Sequence, residues 1–410
     1  MRNQSERIFA AGIRVDNDTW LTGRNNNDTI IGPSGAGKTR GYVLPNILNS
    51  QESMVVVDTK GNLYHKTADC LRKKGYNVLL LDFTDLQHSP VGYNPLDSVR
   101  RDENNEPNEQ DIMAISNAIL PNETVGNDPF WSRISRLVLE TAIAYVLEYT
   151  SDTTLTSVAN LLAELTTGRF DRLFAEIGEI NPESLCYRRY ALWRNMRQAE
   201  KMTASVAGIV GEAVSVLTSR GARGLFENPA RVNFHDLADR KTAVFLNVSD
   251  SDQSQYKLVS LFYTQILHAL CDYADSCPGN RLPIPVRLYL DDFASNLVIT
   301  DFPKTISVIR SREIYVSIML QSITQLAAMY GDNNAKTIIA NCDHCLLLGC
   351  ADVDTARYFS VKANVNLHRI LDMSLDNAWF FERGSKAREV TKAKPDFTLS
   401  DTTITFEPAA

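Results

Sequence analysis

The eight residues from Gly32 to Thr39, GPSGAGKT, restrict the possible folds of this chain more than any other segment. They fit the pattern G-x-x-x-x-G-K-[ST], and the flanking residues predict a short strand before the pattern and a helix after it. In that setting the glycines let backbone N–H groups converge on phosphate oxygens at a helix N-terminus. The segment predicts a phosphate-binding loop (P-loop), although a glycine-rich turn that binds nothing has the same pattern.

The loop assigns candidate contacts to a nucleotide, for which we expect ATP with Mg²⁺. Lys38 is expected to neutralise the β- and γ-phosphates, and the Thr39 hydroxyl is expected to bind the metal ion. The candidate nucleotide contacts in the loop are Gly32, Pro33, Ser34, Gly35, Ala36, Gly37, Lys38 and Thr39.

A P-loop needs a second strand that ends in a carboxylate beside the metal, and VRLYLDD supplies one. Asp291 is the candidate for the Mg²⁺ shell, and Asp292 is the candidate that polarises the attacking water. Because aspartate also ends many ordinary strands, a turn without function is the alternative. Asp58 ends the strand SMVVVD and competes for the metal role; we expect it to make a secondary contact with the nucleotide.

Three further side chains are catalytic candidates. Gln321 follows the predicted strand YVSIML, where its amide could sense the γ-phosphate or orient water at the sheet edge that binds ligands in such folds. Arg310 and Arg312 lie on a helix that leads into that strand. Either could reach the phosphate of a neighbouring subunit as an arginine finger. Solvation at the surface is the alternative for all three.

The order of predicted elements indicates an α/β fold with a mainly parallel sheet, because strands alternate with helices on both sides of a helical block. We predict a nucleotide-binding domain formed by residues 1–96 and 232–410, interrupted by an inserted all-alpha domain at 97–231. Phe130 and Trp131 are expected to pack at the start of the first long helix of that insert.

Composition bears on partners and location. A formal charge of -7 argues against a surface that coats nucleic acid without specificity, although a local basic channel is compatible with it. The seven cysteines are scattered through apolar segments, which favours reduced thiols in a cytosolic compartment. No run of eighteen apolar residues is present, so we expect a soluble chain that lacks a membrane anchor.

Several sequence segments together resemble the TraG/TraD-like type IV coupling proteins, including the VirD-type ATPases. The segments are IIGPSGAGKTRGYVLPNIL, VVVDTKGNLYHKTADCLRKKGYNVLLLDF, GYNPL, PFWSRISRLVLETAIAYVLE, LYLDDFA and VIRSREIYVSIMLQSITQLAAMYG. They occur in order from about residue 30 to 381, and most lie outside the generic P-loop pattern.

The resemblance implies a RecA-like P-loop NTPase with an inserted all-alpha domain, assembled as a hexamer on the cytoplasmic face of the cell membrane. It implies an ATP hydrolase that delivers DNA, or a complex of DNA with relaxase and relaxosome proteins, to a conjugation or type IV secretion channel. It places Asp291 at the Walker B aspartate, Gln321 at the sensor glutamine and Arg312 nearest the finger.

This sequence departs from the family pattern in two features. Family members usually begin with transmembrane helices, which we do not find in this sequence, and they usually have glutamate where this chain has Asp292. Aspartate places the carboxylate about 1.5 Å further back, enough to slow a positioned proton transfer on the order of a hundredfold. Two other functions stay open. One is a double-stranded DNA translocase of the FtsK or HerA kind, and the other is a docking platform that binds nucleotide without hydrolysis.

Overall fold

The computed structural model describes residues 5–59, 61–121, 129–197, 200–252, 254–291, 293, 298–393, 395–396 and 405–406. The chain divides into two compact units. The first contains Met1–Leu80, Asn233–Gln253 and Leu267–Ala410, and the second contains Leu81–Val232 and Ser254–Ile266. Compared with the predicted insert at 97–231, the second unit begins earlier and also includes Ser254–Ile266. The assignment of nucleotide binding to residues 1–96 and 232–410 stays a prediction.

Within the described residues, nine strands form one sheet, and two short two-stranded sheets accompany it. The strands are β1 (Glu6–Ala10), β2 (Ile13–Asp16), β3 (Asp28–Ile31), β4 (Ser53–Asp58), β5 (Asn77–Asp82), β6 (Thr242–Asn247), β7 (Val286–Leu290), β8 (Ile314–Leu320), β9 (His344–Leu347), β10 (Asn377–Glu382), β11 (Arg388–Thr391), β12 (Pro395–Asp396) and β13 (Thr405–Phe406). The main sheet has the order β11-β10-β9-β3-β8-β7-β4-β6-β5, while β1 pairs with β2 and β12 with β13.

The centre of the main sheet is parallel. Strand β3 pairs in parallel with β8 and β9, β7 pairs with β8 and β4, and β4 pairs with β6. Strands β3, β4, β7 and β8 are buried along their whole length, as expected where helices cover both faces. The predicted α/β class and mainly parallel sheet are confirmed, and the carboxyl ends of these strands meet at one edge.

The chain's tail adds an antiparallel hairpin to this sheet. Strand β10 pairs with β9 on one side and with β11 on the other, with Asn377 opposite Thr391. Val390 of β11 packs against the apolar core. Strand β11 is therefore held on the same sheet as the P-loop strand β3.

Helices of the first unit connect these strands. They are α1 (Thr19–Thr22), α2 (Leu44–Asn49) and α3 (Asn62–Lys73), and later α11 (Asp236–Asp239), α13 (Phe302–Val308), α14 (Ile323–Tyr330), α15 (Asp332–Ala340), α16 (Val353–Ala363) and α17 (Leu367–Leu371). The intervening labels belong to the second unit, and α12 (Tyr256–Ser276) runs through both.

The helix after the P-loop begins with an irregular turn. Lys38–Val43 winds as a π-helix, in which the Leu44 N–H donates to the Thr39 carbonyl, and α2 follows directly. Pro45 has no N–H with which to reach the carbonyl of Gly41, and its ring would crowd that carbonyl in a regular α-helix. The wider turn accommodates the proline and lets the helix start at the loop.

A buried charge cluster, defined by Arg7, Asp28, Glu52 and Arg287, lies inside the first unit. Asp28 Oδ2 is 2.8 Å from Arg7 Nε and 3.2 Å from Arg287 Nη1, and Arg287 Nε is 2.9 Å from Glu52 Oε2. Tyr42, from the turn after the P-loop, donates its hydroxyl to Asp28 Oδ2 at 2.6 Å. The cluster thus ties the start of the P-loop helix to three strands of the molecule.

The second unit is built around one long helix. Helix α5 (Pro129–Tyr149) packs against α4 (Glu109–Ile119), α6 (Leu155–Ala163), α8 (Leu185–Met196) and α9 (Glu200–Val214), and α7 (Arg169–Ile180) and α10 (Arg220–Glu227) complete the set. Buried Glu140 of α5 pairs with Arg189 at 2.9 Å and accepts a hydrogen bond from Ser116. Between residues 97 and 231, the described regular elements are helices.

The packing prediction for Phe130 is wrong. Its side chain is 41% exposed, and Trp131 beside it is only partly buried; their rings touch edge to face, with centroids 5.6 Å apart. The pair stands at the first turn of α5, where the helix has not yet entered the core. Helical spacing predicted the helix but not which of its turns are buried.

No single helix in the described part of the chain combines the length and hydropathy of a membrane span, but the bent pair Lys201–Thr218 and Arg220–Glu227 meets that criterion jointly.

Candidate active site

A cavity of about 830 Å³ opens at the carboxyl edge of the parallel sheet, within the first unit. It brings together residues that follow four different strands: Ser34 to Thr39 after β3, Asp58 at the end of β4, Asp291 after β7 and Gln321 after β8. This convergence is a direct consequence of parallel pairing, because all of these strands end at one edge.

The P-loop has a backbone shape that glycine allows. Gly35 and Gly37 have φ values of +78° and +98°, in the left-handed region that favours glycine. A Cβ on Gly32 would lie 2.9 Å from the Cβ of Ala36 and 3.1 Å from that of Leu348, so any larger residue would distort the loop. The tight turn leaves room for a phosphate group over the backbone.

Lys38 is the buried cation of the loop. Its ammonium donates to the carbonyl of Gly32 at 2.7 Å and to that of Pro33 at 3.2 Å. These contacts hold the side chain back along the loop, over the helix N-terminus that begins at Gly37. The charge therefore sits where anions bind to a helix start.

The two predicted metal ligands touch each other. The Thr39 hydroxyl donates to Asp291 Oδ2 at 2.7 Å, although 252 positions separate them in the chain. A threonine hydroxyl and a carboxylate are oxygen ligands of the kind that Mg²⁺ prefers. The donor set and the cavity fit a magnesium nucleotide.

Asp58 has a structural contact as well as a place in the cavity wall. It is buried, and its Oδ2 accepts a hydrogen bond from the backbone N–H of Tyr64 in the first turn of α3. This contact satisfies one of the open donors of a helix start. Asp58 therefore orients α3 beside the cavity, and its predicted contact with the nucleotide stays a prediction.

Gln321 is exposed at the cavity, and its backbone N–H donates to Gln325 Oε1 at 3.4 Å. Asp292, the candidate that orients water, lies outside the described residues. Its role stays a prediction from the sequence.

Arg310 and Arg312 lie away from this cavity. Arg312 forms a bidentate ion pair with Asp275, with both N–O distances at 2.9 Å, and donates to the Val308 carbonyl. The hydrogen bond with Asp275 raises the pKa of the guanidinium above its usual value. Strand β8 separates Arg312 from Gln321, so at 3.3 Å per residue the two lie roughly 20 Å apart.

Among the cavity residues that sequence reasoning missed, four have charged or amide side chains. Asp250 follows β6 and could have been found by the same strand-end rule that found Asp291. Arg40, Asn62 and Lys66 also line the cavity, and their position depends on how the helix after the P-loop meets α3. The local sequence does not predict how these two helices pack against each other.

Residues 1–363 match the family model described as Type IV secretory system Conjugative DNA transfer. This chain belongs to that family. VirD4 of Rhizobium radiobacter is 24% identical over 376 residues, which cover 89% of this chain and 52% of VirD4. The conjugal transfer protein TraG of Escherichia coli is 24% identical over 336 residues, which cover 76% of this chain and 50% of TraG.

The fold of this family member is similar to that of the plasmid coupling protein TrwB, whose structure was solved in complex with ADP and Mg²⁺. The TM-score is 0.69 at 16% identity, over 99% of this chain and 94% of the TrwB chain. The resemblance to a RecA-like coupling-protein fold is thereby confirmed. The chain spans about half the length of the curated relatives that it matches.

Proposed function

We propose that this chain is the ATPase part of a type IV coupling protein. The observation that carries the proposal is the hydrogen bond between Thr39 and Asp291 beside the buried Lys38, since this trio supplies metal ligands and a phosphate-binding cation in one cavity. The complex of TrwB with ADP and Mg²⁺ supports the choice of nucleotide and metal.

In the proposed reaction, the backbone N–H groups of the P-loop and Lys38 hold the phosphates of ATP. Thr39 and Asp291 hold Mg²⁺, which supplies neutralising charge to the β- and γ-phosphates when bound. Asp292 accepts a proton from the attacking water, and Gln321 aligns that water or senses the γ-phosphate. Asp58 keeps α3 in place at the cavity wall.

The position of Arg312 supports a role across a subunit boundary. Because the seven residues of β8, a span of roughly 20 Å, separate the backbone of Arg312 from the strand end at the cavity, its side chain does not reach a nucleotide bound to its own P-loop. In a ring of identical chains, the hexamer that we propose, Arg312 or Arg310 would instead approach the phosphate of a neighbour. Arg312 would first have to leave Asp275.

We further propose that the ring acts at the cytoplasmic face of the cell membrane and moves DNA, alone or with relaxase and relaxosome proteins, into a type IV secretion channel. Family membership and the similarity to VirD4 and TraG support this assignment. No residue of the cavity distinguishes one cargo from another.

The test is DNA-stimulated phosphate release by the chain fused to a hexamerising domain, with Lys38→Ala as the inactive control. We expect ATP turnover that rises with added DNA and is lost in the variant. Turnover equal in both proteins would refute the assigned site. Nucleotide binding without turnover in any oligomer would instead favour the docking platform.

A further inference from the structure

A second lysine reaches the P-loop from the tail of the chain. Lys392 donates its ammonium to the carbonyl of Ala36 at 3.2 Å, across 356 positions of sequence. It follows β11 directly and lies beyond the residues that match the family model, which ends at 363. No motif in the sequence includes this lysine.

Lys392 is held in place by its own backbone. Its N–H donates to the carbonyl of Asp376 at 2.8 Å, next to the pair Asn377–Thr391 at the open end of the β10-β11 hairpin. The Thr391 carbonyl accepts from Ala11 N–H at 3.0 Å. The ammonium thus comes from a residue whose backbone is hydrogen-bonded at the end of β11.

The tail backbone also passes close to the helix after the loop. The carbonyl of Ala393, a buried residue, lies 3.4 Å from the place where a Cβ on Gly41 would stand. Lys392 itself is half-buried, and burial lowers its pKa while Asp376 acts in the opposite direction. Lys392 and Ala393 therefore lie beside the P-loop and the first turn of the helix that follows it.

The contact with Ala36 determines the direction of a neighbouring donor. The Ala36 carbonyl belongs to the same planar peptide unit as the N–H of Gly37, and in a trans peptide the two groups point in opposite directions. This peptide unit turns about ψ of Ala36 and φ of Gly37, and a glycine at position 37, where φ is +98°, accepts either sign of φ with little steric cost. A cation on the carbonyl opposes that rotation and keeps the Gly37 N–H directed away from the tail.

We propose that Lys392 is a positioning residue of the nucleotide site, which orients the Gly37 N–H toward the phosphates and closes the P-loop from the C-terminal side. The inference rests on the proposed function, because it requires that the loop bind a nucleotide. Lys392 acts through the loop backbone, in contrast to Lys38, which acts on the phosphates directly.

The test compares Mg²⁺-ADP binding by calorimetry in wild type, Lys392→Met, Lys392→Arg and Lys386→Met. Methionine keeps the apolar stem of the lysine and removes the charge, and Lys386 is an exposed control in the turn of the same hairpin. Loss of one charge-assisted hydrogen bond predicts about tenfold weaker binding in Lys392→Met. Lys392→Arg should stay within roughly threefold of wild type, since it keeps a cationic donor.

A second measurement separates positioning from general stability. In protein labelled with ¹⁵N-glycine, the amide signal of Gly37 should shift in Lys392→Met and stay in place in Lys386→Met, with unchanged thermal unfolding in both. Wild type that fails to bind Mg²⁺-ADP would overturn the proposed function together with this inference. Wild-type binding with equal affinity in Lys392→Met would overturn the inference alone, as would a loss that Lys392→Arg does not restore.

Discussion

The hydroxyl of Thr39 donates a hydrogen bond to Asp291 Oδ2 at 2.7 Å, which joins the P-loop after β3 to the end of β7, two places away in the sheet order β3-β8-β7. Each residue follows its own strand, and parallel pairing through β8 sets the distance between them. The two oxygen atoms that we propose as metal ligands are thereby already close together, which would limit the rearrangement that metal binding requires.

Removal of either proposed metal ligand should reduce the gain in ADP affinity that Mg²⁺ provides. We expect Thr39→Val and Asp291→Asn to bind ADP without Mg²⁺ about as well as wild type, and to lose about tenfold in the affinity gained from Mg²⁺. Calorimetric titrations of ADP with Mg²⁺ and with EDTA measure that gain. Asp354→Asn, which removes an exposed carboxylate on α16 away from the cavity, is the control. An unchanged gain in both variants would show that the metal binds elsewhere.

Asp292 should respond to substitution in both directions. If its carboxylate orients the attacking water from one methylene too far back, Asp292→Glu raises the turnover rate on the order of tenfold or more, whereas Asp292→Asn lowers it. Nucleotide affinity should stay the same in both variants, because the residue acts on water. Phosphate release at matched oligomer concentration, with and without DNA, is the measurement. Equal rates in the three proteins would exclude Asp292 as the catalytic base.

The ion pair between Arg312 and Asp275 should restrain a finger that acts in trans. Arg312→Ala is expected to bind nucleotide normally and to lose about a thousandfold or more in turnover in the oligomer. Asp275→Asn frees the guanidinium and should keep or raise turnover. Arg357→Ala removes an exposed arginine that pairs with Asp354 on α16, and serves as the control.

Mixed rings provide the decisive comparison for this arginine. A finger in trans lets a Lys38→Ala subunit supply Arg312 to an Arg312→Ala neighbour, so mixing the two inactive variants should restore part of the activity. Absence of any recovery in rings shown to contain both variants would count against a role across the subunit boundary.

The buried charge cluster should make stability depend on acid pH through Asp28. Burial alone would raise the pKa of this carboxyl, but Arg7, His344 and Arg287 outweigh burial and lower it from 3.8 to about 2. Because the pKa is lower in the folded protein, the contribution is complete above about pH 4 and is lost as the pH falls toward about 2. The shift corresponds to about 2 kcal/mol of unfolding free energy.

Asp28→Asn tests this cluster, since it leaves two buried arginines with one fewer carboxylate. We expect a loss of about 3 to 5 kcal/mol in the free energy of unfolding near neutral pH, measured by urea denaturation. The difference from wild type should shrink as the pH is lowered through the range in which Asp28 takes up a proton. Tyr42→Phe, which removes a hydroxyl that donates to Asp28 and also lies 3.0 Å from Ser317 Oγ, should cost about 1 kcal/mol. A difference that is independent of pH would contradict the lowered pKa.

Much of the site follows from the sequence alone. The P-loop pattern identifies Lys38 and Thr39, and the ends of apolar strands identify Asp58, Asp291 and Gln321, because periodicity and turn residues are local properties of a chain. The rule that parallel strands end at one edge then predicts that these residues meet. The same local reasoning predicted the helix that begins at Phe130, but not the exposure of that side chain, which depends on where neighbouring helices stop.

Only the tertiary structure decided which distant residues touch these elements. Lys392 at the Ala36 carbonyl, Asp275 at Arg312, and Arg7 with Arg287 around Asp28 join segments whose sequences carry no sign of one another. Each contact depends on the order of strands and on the path of the crossover connections. Long-range packing of the whole chain sets that order and path, because many local sequences are compatible with the same strand or helix and none specifies its neighbour.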